Sequence, residues 1–331
     1  MLTVLGELVV DLIPVPGADA GAEGTAPHYV ARPGGNALNV AVAAGRLGHP
    51  VHLLARFGTG PLAGNLRRHA ELSGVDVSRS VDSGDPVSLA VVGLGDDGSA
   101  DYGFHVLGAA DWQWTDEEVA AAWPPGGTAL HVGSISAWTA PGSEAIAGLA
   151  ERLHADGSAL VSVDPNIRAS LAEGFGNTGP DVRRRLDRLL AVADVVKVSA
   201  EDLGWLEPGT TDLDEAGLDE VAQRWADRGP GVLLLTDGGE PLRVARPGRP
   251  LLRHTPPPVT VADTVGAGDS LAAGFLTGLL DAGVTTRAAL DAVDDDLLGR
   301  VVADAALVAA LCCTRVGADP PTRAELDAAR G

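Results

Sequence analysis

The chain has 331 residues, 45% of them hydrophobic and 4% aromatic, and its 24 basic against 45 acidic side chains give a formal net charge of -21. That is enough apolar sequence for one large α/β domain with an appendage, and the acidic balance argues against nucleic-acid or anionic membrane surfaces, so an anion site must be built locally. The N-terminus has no basic region, no run reaches the ~18 apolar residues of a membrane span, and Cys312 and Cys313 sit side by side in the apolar run 301–313; an unprocessed cytoplasmic protein with buried thiols is expected.

In chain order, strands are predicted at residues 2–10, 51–56, 129–133, 159–164, 195–199 and 231–236. They alternate with helices at 37–47, 62–73, 144–155, 183–193, 219–228 and 270–282. Such alternation predicts an α/β fold with a mostly parallel central sheet covered on both faces. Two segments break the rhythm: 87–94 and 100–107 read as a β-hairpin joined by Gly95, Asp96, Asp97, Gly98 and Ser99. With extended pieces near 9–15 and 28–32 they make a small projecting sheet. The run G-L-G-D-D-G from Gly93 to Gly98 matches a dinucleotide-binding pattern in form only, because no helix follows it. Trp112, Trp114 and Trp123 read as packing, Asp294 to Asp296 as a solvated loop, and the eight histidines have no metal-ligand spacing.

Residues 263–275, D-T-V-G-A-G-D-S-L-A-A-G-F, carry the clearest chemistry. Gly266, Ala267 and Gly268 permit a tight turn with outward N–H groups, and an apolar helix follows, so an anion would sit there. Asp269 stands at the same helix entrance, where a carboxylate beside an anion cradle suggests phosphoryl transfer with Asp269 taking the hydroxyl proton. Lys197 is the only lysine in the chain, at a predicted strand end that would need a compact, flexible point charge. Asp11 ends the first predicted strand and can accept hydrogen bonds from two hydroxyls. No Walker A loop and no protein-kinase H-R-D or D-F-G triplet is present.

The 263–275 stretch resembles the second signature of the PfkB family of carbohydrate kinases, and R-P-G-G-N-A-L-N-V-A-V-A-A-G-R-L-G at 32–48 resembles the first. Similarity extends to G-E-x-x-x-D at 6–11, D-P-N-I-R at 164–168, K-V-S-A-E-D-L at 197–203 and T-D-G-G at 236–239. The resemblance implies a ribokinase-like three-layer α/β/α domain over residues 1–331, with a lid formed by segments about 9–32 and 87–107. It implies ATP and Mg²⁺, a monovalent cation such as K⁺ near Asp263 beside the anion loop, and a homodimer through the lid. Gly34, Gly35 and Asn39 look like the sugar-binding turn and helix, and Asn166 and Arg168 like contacts to phosphate or its hydrated metal. Lys197, Ser199, Thr236 and Gly238 fall on the nucleotide side.

The chain also departs from the family pattern. Ser199 and Asp202 replace N-x-x-E, so Asp202 would reach magnesium through an extra water. Pro241 stands where glycine is usual, and no aspartate occurs in the turn 58–64. The expected activity is transfer of the γ-phosphoryl of ATP to a free hexose, fructose first. A phosphorylated sugar would need a cluster of cations, and a nucleoside would need aromatic faces, of which the hairpin offers Tyr102 and Phe104. The open alternatives are 2-keto-3-deoxygluconate, whose carboxylate Arg32, Arg56 or Arg168 could pair, and a non-catalytic sugar- or nucleotide-binding protein on the same fold.

Overall fold

A computed structural model describes residues 1–15, 28–94 and 100–330, with backbone alone for Leu94 and residues 100–102. The hairpin connection Gly95 to Ser99, most of the Gly93 to Gly98 run and the Tyr102 side chain lie outside the described residues.

The strands are β1 (Leu2–Leu5), β2 (Val9–Pro14), β3 (Tyr29–Gly34), β4 (Val51–Leu54), β5 (Arg56–Phe57), β6 (Val81–Asp82), β7 (Ser88–Leu94), β8 (Ala100–His105), β9 (Ala129–Gly133), β10 (Leu160–Asp164), β11 (Val195–Ser199), β12 (Val232–Thr236), β13 (Leu242–Ala245) and β14 (Leu252–His254). The helices are α1 (Asn36–Arg46), α2 (Pro61–Leu72), α3 (Asp116–Ala122), α4 (Ser134–Trp138), α5 (Gly142–Asp156), α6 (Ala169–Ala172), α7 (Gly179–Leu190), α8 (Ala200–Leu206), α9 (Glu215–Ala226), α10 (Ala267–Asp281), α11 (Arg287–Asp291), α12 (Asp295–Cys313) and α13 (Arg323–Ala329).

The larger sheet has the order β14-β13-β12-β11-β10-β9-β1-β4. From β12 to β4 every neighbour is parallel, and β13 and β14 add an antiparallel edge. Its strands are apolar on both faces because both are covered. Leu2, Val4, Val195 and Leu234 pack with α1, α10 and α12, whereas Leu5, Val161, Leu233 and Leu235 pack with α5, α7 and α9. This is the three-layer arrangement, with Trp112, Trp114 and Trp123 inside or against the second core.

A second sheet has the order β3-β2-β7-β8, with β2 antiparallel to β3 and parallel to β7, and β7 antiparallel to β8. The segment 2–10, expected as one strand, is divided between the two sheets. Glu7, fully buried, accepts the N–H groups of Asn36 and Ser136 at 3.2 Å, and Asp111 accepts the Leu8 N–H at 2.7 Å. Those bonds pull residues 7 and 8 off the larger sheet, so Asp11 lies within β2 and not at the end of the first strand.

Asp294 is not in a loop: its carboxylate accepts the Leu297 N–H as the N-cap of α12, and Asp295 and Asp296 occupy the first turn, where the helix dipole favours them. Cys312 is buried as expected, while Cys313 is half-exposed near the end of that helix. Among the described residues no helix is long and apolar enough to cross a membrane.

Candidate active site

Asp164, Ser199 and Thr236 are the last residues of the adjacent parallel strands β10, β11 and β12, so three candidate segments converge at one sheet edge, where open α/β sheets hold ligands. Helix α10 starts three residues earlier than the sequence suggested, which puts Asp269 in its first turn. Gly266 is the N-cap with φ 76°, and a Cβ there would stand 2.6 Å from the Ala318 Cβ. A Cβ on Gly268 would stand 2.8 Å from Lys197 Nζ, so the loop rests directly on the lysine. The Ala267 N–H donates to the Thr264 carbonyl at 3.2 Å. The Gly268 and Asp269 N–H groups belong to the first turn, which by helix geometry lacks intrahelical acceptors and suits an anion.

Asp269 is buried, and both carboxylate oxygens are held from α1: Asn36 Nδ2 donates to Oδ1 at 2.7 Å and Asn39 Nδ2 to Oδ2 at 2.8 Å. Burial raises its pKa, opposed by the Asn39 hydrogen bond, the Lys197 charge, the Asn36 hydrogen bond and the Arg168 charge. A raised but hydrogen-bonded carboxylate is suited to accept a proton in a transition state.

Beneath this sits a buried charge cluster. Lys197 Nζ lies 3.1 Å from Asp164 Oδ2, and Asn36 Nδ2 lies 3.4 Å from the same oxygen. Burial pushes Asp164 up to about 7; Lys197 opposes this, and the carboxylates of Asp202 and Asp269 reinforce it. Burial works to lower Lys197, but the carboxylates of Asp164, Asp202 and Asp269 hold it above its ordinary value. His131, on β9, is fully buried and turns Nδ1 to Ser162 Oγ at 3.0 Å; burial and the Lys197 charge push it down to about 3. Asp202 is buried and forms a capping box with Ser199, while its Oδ1 accepts the Ile167 N–H at 2.7 Å. It therefore anchors the loop bearing Asn166, which has φ 39°, and Arg168.

On the small sheet the cross-strand register aligns Arg32, Asp11, Ala90 and Phe104 in one row across β3, β2, β7 and β8. The Asp11 carboxylate closes over Gly34, and Gly35, with φ 102°, is the N-cap of α1. Burial raises Asp11 to about 6, opposed by Arg168, which acts on Asp269 as well, so one guanidinium lies within electrostatic reach of both acids. Arg56 is committed elsewhere: it pairs with Glu118 and donates to the Ala110 carbonyl.

Gly238, with φ 53°, lies in the turn after Thr236, and among the described residues no hydrogen bond ties either to the Asp269 network. Asp263 joins two loops, its Oδ1 accepting the Val265 N–H at 3.1 Å and its Oδ2 the Gly317 N–H at 2.8 Å. No group of three His, Cys, Asp or Glu side chains placed to hold a metal ion occurs among the described residues. Sequence reasoning passed over Asn36, Asp164 and Glu7. All three stood inside motifs given above, but their contacts are made across the chain.

A pfkB family carbohydrate kinase profile matches residues 1–325. A fructokinase of Klebsiella pneumoniae is 34% identical over 295 residues, covering 88% of each chain. The crystal structure of a Xylella fastidiosa fructokinase with bound ATP superposes with a TM-score of 0.82 at 26% identity, covering 99% of this chain and 97% of that one. A Vibrio cholerae fructokinase double mutant in a fructose, ADP and potassium ion bound form has a TM-score of 0.77 at 27% identity, with 99% and 97% covered. The fold is ribokinase-like, and the chain belongs to the PfkB family of carbohydrate kinases.

Proposed function

We propose that this sugar kinase transfers the γ-phosphoryl group of ATP to a hydroxyl of free fructose, with Asp269 as the base. The observation that carries this reading is the placement of Asp269: a buried carboxylate, oriented through both oxygens, in the first turn of a helix whose free N–H groups suit the transferring phosphoryl. Relatives named as fructokinases support the acceptor, and the ATP and ADP bound by the Xylella and Vibrio proteins support the donor.

Each Asp269 oxygen keeps a lone pair beyond its asparagine bond, so the acceptor hydroxyl can donate there and pass its proton as the phosphoryl leaves ATP. The Gly268 and Asp269 N–H groups, with Gly266 and Ala267 shaping the turn, balance charge on the transferring oxygens. Lys197 acts from beneath Gly268, and Ser199, Thr236 and Gly238 line the nucleotide side. Asp11, Gly34, Gly35 and Asn39 hold the acceptor under the small sheet, which acts as a lid bearing Tyr102 and Phe104. The lid and the larger sheet form a single domain.

Magnesium, when bound, neutralises phosphate charge. Asp202 accepts the Ile167 N–H and so stands beside the loop bearing Asn166, and these two would be the outer partners of the ion. Asp263, whose carboxylate joins two loops, would serve a monovalent cation, in keeping with the potassium of the Vibrio protein. Exposed Val15, Tyr29 and Val30 beside and on edge strand β3 support a homodimer through the lid.

A second acceptor, 2-keto-3-deoxygluconate, is favoured by Arg32 and Arg168 around Asp11. The test is coupled ADP release against fructose, glucose, ribose and the keto acid. The highest kcat/KM is expected with fructose. About a tenfold preference for the keto acid would overturn the fructose assignment alone. ADP release with none of a broad sugar panel would favour a binding protein.

A further inference from the structure

We propose that Asn36 is a positioning residue for phosphoryl transfer: its side-chain amide joins the Asp164–Lys197 pair to Asp269 and holds the Asp269 carboxylate in one orientation toward the acceptor. The proposal rests on the reading of Asp269 as the base.

Asn36 is buried, and its Nδ2 lies 2.7 Å from Asp269 Oδ1 and 3.4 Å from Asp164 Oδ2. The amide orientation follows from charge, because the reverse would set Oδ1 against two carboxylate oxygens. Among the described residues the observed orientation leaves the buried Asn36 Oδ1 without a partner, and a Cβ on Gly133 would stand 2.6 Å from it. A buried polar atom left orphaned is unfavourable for folding alone, so both ends of this side chain point to a demand set by the carboxylates. The main chain of Asn36 is fixed as well: its N–H donates to the buried Glu7 carboxylate at 3.2 Å. Asn39 is three residues further along α1, on the same helix face, and donates to the other oxygen of Asp269. Two rigid donors from one helix set the carboxylate plane and leave one lone pair per oxygen. Asn36 alone of the two also reaches Asp164, and through it Lys197, on which Gly268 rests. Among the described residues Asn36 bonds to Glu7, Asp164 and Asp269 and not to Asp11, so a change at residue 36 acts first on the base.

The test compares Asn36→Ala, Asp269→Asn and the double variant of the full chain, with MgATP and the sugar of highest kcat/KM in the panel. Asn36→Ala is expected to lower kcat by about tenfold to a hundredfold, leave both KM values within about threefold and move the acidic limb of the kcat profile upward. The double variant is expected to be no slower than Asp269→Asn, because Asn36 acts through that carboxylate. A raised KM at unchanged kcat, an unmoved acidic limb, or additive losses in the double variant would overturn the proposal. If Asn36→Ala does not fold, Asn36→Asp keeps the volume and can donate only when protonated. Its kcat relative to the parent should then rise as pH falls, and a pH-independent ratio counts against the proposal. Near-full turnover in Asp269→Asn would instead remove the base reading itself, whatever Asn36 does.

Discussion

The ε-ammonium of Lys197 stands 3.1 Å from Oδ2 of Asp164, with the two side chains 8% and 0% exposed. The only lysine in the chain is thus spent on a buried ion pair directly under the anion loop. A buried pair of this kind adds little net stability over an apolar pair, but breaking it by removing one partner leaves an uncompensated charge.

Lys197→Ala is therefore expected to lower unfolding stability by about 3 kcal/mol or more and to weaken nucleotide binding more than sugar binding, because Gly268 loses its support. The double variant Lys197→Met with Asp164→Asn should regain most of the stability. Urea denaturation and calorimetry check both expectations. An equal loss in single and double variants would show that the pair is not the cause.

Asp269→Asn keeps the volume and the helix start but removes the base. A fall in kcat of about 10² to 10⁴ is expected with little change in MgATP affinity. Turnover near that of the parent would sink the assignment.

The larger sheet was legible because its strands are apolar on both faces and end at turn residues, so 129–133 and 195–199 were placed correctly from pattern alone. The same pattern misled at 2–10, where Glu7 interrupts an apolar run and its buried carboxylate redirects the chain into a second sheet. The antiparallel strands β13 and β14, short and bearing Arg243 and Arg253, gave no periodic signal. At the site, Asp269 and the glycines were readable because local backbone geometry dictates them. The Asn36 contact joins positions 233 residues apart, and a fully buried Asn cannot be told from an exposed helix residue without the fold.

Asp111 ties the connection between β1 and β2 to β7, accepting the Leu8 N–H and the Ser88 hydroxyl, and burial pushes it up to about 7, with the neighbouring Glu7 reinforcing the shift. Its folded pKa lies above the unfolded one, so folding takes up a proton and this group's contribution to stability declines as pH rises from about 4 to about 7. Asp111→Asn retains both hydrogen bonds, with its amide donating to Ser88. It should raise Tm at pH 8 relative to the parent and change it little near pH 4. Parallel melting curves for parent and variant across pH 4 to 8 would contradict this.

Asp11 tests the acceptor. Burial holds it near 6 against the pull of Arg168, so a sugar whose hydroxyls donate to the carboxylate should bind less well as pH falls through that value. Asp11→Asn is expected to raise KM for fructose by about tenfold or more, with a smaller change in kcat, and to erase the limb near pH 6 in kcat/KM. For 2-keto-3-deoxygluconate the sign reverses, because an anionic acceptor gains when Asp11 is neutral and Arg168 remains. The variant should therefore shift the fructose-to-keto-acid ratio of kcat/KM toward the keto acid. Steady-state kinetics with both acceptors from pH 5 to 8 measure this, and a KM for fructose that neither rises in the variant nor depends on pH in the parent would remove Asp11 from the sugar site.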